Sequence, residues 1–192
     1  MAKFDYFNLL GPIYDLIFSL RNSSKLVEMV NLFPQQALLD IGGGTGRVSE
    51  KFSGISSSII VADPAIKMLR EAHKKGLLII NAHSEALPLR SASFERVMMI
   101  DAFHHVAQHQ LTLDEIWRVL KPGGRLVIEE PNIRNIFGKF IAIGEKILLM
   151  RSKIFTPEEI ISMCSFQDVE NVRLEIKDAL VWVMIDKRAK ND

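Results

Sequence analysis

The stretch Leu38-Leu39-Asp40-Ile41-Gly42-Gly43-Gly44-Thr45-Gly46-Arg47 joins an apolar run to a loop with three alternating glycines. A strand, a tight glycine turn and a helix N-terminus in that order make a seat for an anionic ligand group. Missing Cβ atoms let a ligand approach the backbone, while free N–H groups and the helix dipole favour negative charge. The spacing then discriminates. A dinucleotide fingerprint places a glycine three residues beyond Gly44, where Arg47 stands. A P-loop closes on Gly-Lys-Ser/Thr, whereas Gly46 is followed by Arg47-Val48. What stands here is D-x-G-x-G-x-G, from Asp40 to Gly46; the bland alternative is a tight turn without ligand.

Working outward, apolar periodicity predicts alternating strands and helices. A strand over Ala37–Ile41 enters the loop and a helix starts near Thr45. A second strand, Ser58–Ala62, ends at Asp63, and Pro64 opens a helix that Gly76 stops. Strands follow at Leu77–Asn81, Arg96–Ile100 and Arg125–Glu129. The last two flank a helix near Leu113–Leu120 that ends at Lys121-Pro122-Gly123-Gly124. Thr156, Pro157 and Glu159 form a capping box for a short helix, and strands near Val169–Ile176 and Leu180–Ile185 finish the series. Residues 4–32 read as two helical pieces, and Ile136–Met150 as an amphipathic stretch that packs in the core, roofs an acceptor site or touches a membrane. Nearly continuous apolar strands alternating with helices predict a doubly wound, mostly parallel seven-stranded α/β sheet with helices on both faces.

Asp63 follows the glycines by about twenty residues, where a carboxylate can accept hydrogen bonds from both ribose hydroxyls of a nucleoside. A helix N-cap is the competing reading. Together the loop and the acid favour a nucleoside ligand with an anionic end and no required pyrophosphate.

Composition narrows the class. With 24 basic and 23 acidic residues the net charge is +1, which gives no ground for a nucleic-acid partner. The lone Cys164 excludes an internal disulfide and fits a reducing, cytoplasmic setting. The five histidines lack metal-site spacing, so no metal is expected. Neither a signal peptide nor a run of about eighteen apolar residues is read in the sequence.

At these residues the chain resembles the class I S-adenosylmethionine-dependent methyltransferases. The likeness is greatest to the small-molecule group with the ubiquinone and menaquinone biosynthesis methylases. Phe7-Asn8-Leu9-Leu10-Gly11-Pro12-Ile13-Tyr14-Asp15 looks like that group's N-terminal segment. Glu85-Ala86-Leu87-Pro88-Leu89 through Ser93-Phe94-Glu95, then Asp101-Ala102-Phe103-His104-His105-Val106, and Leu120 to Leu126 carry the rest. The resemblance implies a Rossmann-like methyltransferase domain over 1–192. Its parts would be an N-terminal helical cap at 1–35, a cofactor core at 36–131 and a substrate-side helical insertion at 132–165. It also implies S-adenosylmethionine as cofactor.

Residue by residue, the resemblance implies that Gly42, Gly43, Gly44 and Gly46 cradle the methionine end, with Asp40 organising the loop. Asp63 would hold the ribose, and Pro64 and Ala65 would flank the adenine. Ser84 and Glu85 would lie near the adenine edge and Ala86 against its face. Asp101 would place its backbone near the ligand amino group. His83 departs from the family, which often carries an acid there.

A sulfonium is already activated, so direct displacement mostly needs alignment in a dry pocket. Acidic acceptors also call for a base. His104 and His105 follow the fourth strand at the carboxyl edge where such sheets bind ligands, and Glu130 follows the fifth. These three are the candidate bases, each weighed against a purely structural role. His73 and His109 read as solvated helix residues and Cys164 as a buried thiol. Expected partners are a small-molecule acceptor, with a weak lean to an apolar one, and no nucleic acid. Peripheral membrane contact but no insertion is expected, and oligomeric state is open. A degenerate cofactor-binding module and an NAD(P)-dependent oxidoreductase are the competing classes.

Overall fold

A computed structural model of the chain describes residues 23–56, 58–132, 153, 155–177 and 180–190. The helical pieces read before residue 23, the Tyr14-Asp15 segment and the stretch Ile136–Met150 lie outside the described residues. The elements are α1 (Ser23–Val30), β1 (Leu38–Ile41), a 3-10 turn (Ser49–Phe52), β2 (Ile59–Asp63), α2 (Ile66–Lys74) and β3 (Leu78–Asn81). They continue with β4 (Phe94–Ile100), a second 3-10 turn (Phe103–His105), α3 (His109–Val119) and β5 (Leu120–Pro131). The series ends with α4 (Pro157–Met163), β6 (Val169–Lys177) and β7 (Leu180–Lys187).

The seven strands form one sheet in the order β3-β2-β1-β4-β5-β7-β6. The first five are mutually parallel, and β7 runs antiparallel between β5 and β6. Both faces are covered. Leu39, Ile41, Val97, Met99, Leu126 and Ile128 pack under α3 and α4. Their neighbours Leu38, Val61, Met98, Ile100 and Val127 pack under α1 and α2. Successive side chains point to opposite faces, so burial on both makes the strands apolar throughout.

Three sequence expectations shift. No α-helix begins at Thr45: the chain between Gly46 and Gly54 makes only the 3-10 turn at Ser49–Phe52. That span allows about two turns before Ser53-Gly54 breaks the coil. The helix placed near Leu113–Leu120 is α3, which starts at His109 and ends at Val119. Lys121-Pro122-Gly123-Gly124 is looped out within β5, whose partner register jumps from Phe94↔Leu120 to Arg96↔Arg125. Gly123 (φ +76°) turns the chain there.

Two buried or half-buried arginines clamp α1 to the sheet. Arg96 Nε donates to the carbonyls of Val30 (2.8 Å) and Asn31 (3.1 Å), and Arg125 Nη1 to that of Met29 (3.1 Å). Cations at the helix C-terminus satisfy its last carbonyls and complement its dipole. Thr156 and Glu159 complete the capping box of α4: Glu159 N–H donates to Thr156 Oγ1 (3.3 Å), and Thr156 N–H to Glu159 Oε2 (2.7 Å). Cys164 is buried, and burial pushes its thiol up to about 12. Glu95 accepts from Ala37 N–H (2.8 Å) and pairs with Lys121, a structural role.

Gly46 sits where loop meets helix layer, at φ +68°. A Cβ there would run into Leu77 and meet Ala72 Cβ at 3.0 Å. Gly46→Ala is therefore expected to cost about 2–5 kcal/mol, combining left-handed strain with overpacking. At Gly54, where a Cβ meets nothing within 4 Å, alanine costs less than about 1 kcal/mol. Urea midpoints at unchanged m-value separate the two.

Candidate active site at the carboxyl edge of the sheet

Strand order reverses between β1 and β4, so their carboxyl ends diverge and leave a crevice. A cavity of about 560 Å³ opens there. Its walls are the glycine loop, the turn after β2, the loop after β3 and the turn after β4.

The glycine loop is fixed from below and beside. Gly42 N–H donates to Ala62 O (2.8 Å) and Gly46 N–H to Gly43 O (2.9 Å). A Cβ on Gly43 would collide with the Asp40 carboxyl, so only glycine lets the loop fold over that acid. Asp40 itself is buried, with Oδ2 accepting from Ser49 Oγ at 2.6 Å. Burial pushes its carboxyl up to about 7; nearby Asp63 adds to the rise, and the Ser49 hydrogen bond and Arg47 oppose it.

Asp63 ties two walls together. Its Oδ2 accepts from Gly44 N–H (3.0 Å) and its Oδ1 from Ala65 N–H (2.7 Å), so it caps the turn and braces the glycine loop at once. Asp63 lines the cavity while it makes these bonds. Asn81 Nδ2 holds the same turn through the carbonyls of Asp63 (3.0 Å) and Pro64 (2.9 Å).

The third wall is fused to α3. Ser84 Oγ lies 2.9 Å from Thr112 Oγ1, and Gln108 N–H donates to Glu85 Oε1 at 3.3 Å. Glu115 Oε2 accepts from Leu87 N–H (2.8 Å), while Arg118 donates to the carbonyls of Leu87 (3.0 Å) and Leu89 (2.8 Å). His83 stands exposed at the cavity rim.

The fourth wall begins at Asp101, whose φ of +56° is rare for a residue with a Cβ. Its N–H donates to Glu129 O at 2.8 Å, holding the chain in the turn. His105 lines the cavity. His104 and Glu130 are buried behind it and do not line it. Glu130 Oε1 accepts from Phe103 N–H (2.9 Å), and its other oxygen meets His104 Nδ1. Burial raises the Glu130 carboxyl, with His104 opposing the rise. The His104 and His105 rings lie 3.9 Å apart. Glu130, read from the sequence as a candidate base, is thus an interior group away from the cavity wall.

Of the sixteen residues named from the sequence, Asp40, Gly42, Gly43, Gly44, Asp63, Pro64, Ala65, His83, Ser84, Glu85, Asp101 and His105 line one cavity. Gly46, Ala86, His104 and Glu130 do not: Gly46 packs on α2, Ala86 is exposed, and the last two form the buried pair. Arg47 and Met68 line the cavity and Asn81 pins its turn, yet sequence reading missed all three as site residues. Only the position of Met68 in the first turn after Asp63-Pro64 could have flagged it. His109 is half-buried against Phe103 (4.9 Å) and Phe155 (4.6 Å) instead of solvated, and burial lowers its pKa. His73 is exposed, as expected. Among the described residues no cluster could hold a metal ion, and no helix is long and apolar enough to cross a membrane.

This set fits a nucleoside with a charged tail: a glycine-walled seat, an acid at the end of β2 and apolar flanks at Ala65 and Met68. Residues 39–128 match the family model described as a methyltransferase domain. The ubiquinone/menaquinone biosynthesis C-methyltransferase of Citrobacter koseri is 33% identical over 106 residues, 50% of this chain and 42% of the relative. The demethylmenaquinone methyltransferase of Renibacterium salmoninarum is 28% identical over 152 residues, 74% of this chain and 64% of the relative. In both, the matched stretch is under two thirds of the relative's length. Among solved structures, an S-adenosylmethionine-dependent methyltransferase of Thermotoga maritima, a possible histamine N-methyltransferase, superposes with a TM-score of 0.78. It is 22% identical, over 95% of this chain and 98% of that one, and shows the shared fold.

Asp40 gives a test of the site's electrostatics. Its folded value of about 7 lies above the ordinary 3.8, so between them the native state holds more protons than the unfolded chain. Its stability contribution is full below about pH 4 and is lost as pH rises through 7, by at most about 4 kcal/mol. The ligand-free Asp40→Asn protein is expected to lack this loss, read as the difference between the two urea-unfolding profiles across that window.

Proposed function

We propose that the chain, whose residues 39–128 match a methyltransferase domain, is a class I S-adenosylmethionine-dependent enzyme that methylates a ring carbon of a small, apolar hydroquinone. The observation that carries this reading is the single cavity where the glycine loop, the Asp63 carboxylate and His105 meet. The quinone-methylating activities of the Citrobacter and Renibacterium relatives support the acceptor class.

In this reading the glycine loop from Gly42 to Gly44, whose missing Cβ atoms let a ligand reach the backbone, receives the carboxylate end of S-adenosylmethionine. Asp40 beneath the loop and the backbone of Asp101 face its ammonium. Asp63 takes the ribose hydroxyls, Pro64 and Ala65 flank the adenine, and the wall of His83, Ser84 and Glu85 borders its edge. When bound, the cofactor supplies a methyl group on a positively charged sulfur, which departs as a neutral thioether.

The protein's own work is alignment and proton handling. His105, on the cavity wall after β4, accepts a hydroxyl proton from the hydroquinone, which moves electron density onto the adjacent ring carbon. A bound S-adenosylmethionine would supply the methyl group to that carbon and leave as the neutral thioether; the carbon's hydrogen would pass as a proton to water, and protonated His105 would return its proton to the ring oxygen, restoring the hydroquinone. His104 and Glu130 act as positioning residues: their buried pair anchors the 3-10 turn that presents His105.

Calorimetric titration tests the cofactor half. S-adenosylmethionine and S-adenosylhomocysteine are expected to bind at micromolar concentration and NAD not at all. Asp63→Ala should weaken both sulfur nucleosides about hundredfold, the loss of two hydrogen bonds to a charged acceptor. Methyl transfer to demethylmenaquinol tests the other half. His105→Gln should lower kcat about 10²–10⁴-fold while cofactor affinity stays unchanged. Cofactor binding without transfer to any hydroquinone would discard the acceptor and keep the fold-family reading.

A further inference from the structure

We propose that β6 pairs antiparallel with β6 of a second copy of this chain, with Leu174 on the twofold axis. Among the described residues no strand pairs with the outer edge of β6, which closes the sheet on that side. A nine-residue edge strand presents a row of N–H and C=O groups that a matching strand can take up.

The side chains select the partner. Val172, Leu174 and Ile176 are 37%, 40% and 46% exposed, although their cross-strand neighbours Ile185, Val183 and Val181 are buried in the layer under α3 and α4. Three large apolar groups on one face of an open edge form a stripe that water covers in the single chain. On the opposite face stand Arg173 and Glu175. Arg173 lies 3.8 Å from Asp186, and Glu175 2.7 Å from Lys25.

A twofold antiparallel pair must match residue i with a fixed sum minus i, so the sequence of β6 fixes which register satisfies itself. Centred on Leu174, the pairing sets Arg173 opposite Glu175 twice, Val172 opposite Ile176 twice, Leu174 opposite itself and Asn171 opposite Lys177. Every apolar residue meets an apolar one and every arginine a glutamate. Moving the axis to Arg173 or Glu175 places like charges face to face, which is destabilising. The regular part of β6 agrees with the same centre. Its pairing with β7 breaks between Val169 and Asn171 and runs unbroken from Asn171 to Lys177, a stretch whose midpoint is Leu174. The irregularity at Glu170 ends the pairing surface just where the complementarity ends. Such a dimer makes one sheet continuous through both copies and buries the two apolar stripes side by side.

Sedimentation of the purified chain over a range of concentrations tests this. The unmodified chain is expected to dimerise reversibly. Arg173→Glu and Glu175→Arg should each weaken self-association about tenfold or more, by placing like charges across the axis. An equimolar mixture of the two variants restores the opposite-charge pairs, and dimers should return to nearly the unmodified level. Leu174→Cys should form a cross-linked dimer under mild oxidation, because its two copies oppose each other within disulfide reach, whereas Asn171→Cys should not. A chain that stays monomeric at every concentration overturns the proposal. So does a dimer indifferent to both charge changes, or a Leu174→Cys variant that fails to cross-link. Far-ultraviolet dichroism checks that each charge variant is folded, and the cross-link decides alone if one is not.

Discussion

The structure depends on a topological constraint at its centre. β1 enters the middle of the sheet, the chain builds outward to β2 and β3, and it then returns to lay β4 on the other side of β1. Connections on the two sides run over opposite faces, so the carboxyl ends of β1 and β4 cannot be covered by the same crossover. The opening between them is a product of chain path, not of any one side chain, and every cavity wall is a loop that must leave this edge. Burial of both faces then dictates apolar strands, and the polar residues that chemistry needs are pushed to strand ends. Asp63, Asp101 and Glu130 all lie at or next to such ends.

Three acids near one cavity have three different environments. Asp63 is satisfied by two backbone N–H groups while still facing the cavity. Asp40 is enclosed beneath the glycine loop, where burial favours its neutral form. Glu130 sits deeper, held by a backbone N–H and an imidazole. A carboxylate's use follows from how many donors surround it and how much water it keeps. The cavity presents Asp63 to a ligand, makes Asp40 responsive to an arriving cation, and reserves Glu130 for holding a turn.

Much of this was legible in the sequence, because the signals were local. Asp40 to Gly46 with Asp63 encode a turn and its brace, and twelve named residues line one cavity. The capping box at Thr156 was legible for the same reason. What escaped reading is set by contacts between distant residues. Nothing in Glu130's neighbours along the chain says that His104 will enclose it. Arg96 and Arg125 read as strand starts, and only the packed sheet shows them clasping the end of α1. The loop at Lys121–Gly124 was recognised as a turn, but its place inside β5 depends on the partner register along β4. His109 read as solvated because its aromatic neighbours, Phe103 and Phe155, come from two other parts of the chain.

The bonds from Ser84, Glu85, Leu87 and Leu89 to α3 and its first residues make the cavity wall after β3 and the helix following His105 one mechanical piece. A ligand that settles against one end of this piece restrains the other end as well. A ligand seated against the wall after β3 would therefore steady the histidine turn, and a second ligand at that turn would hold the first more firmly. The two effects are equal in free energy because linkage is reciprocal.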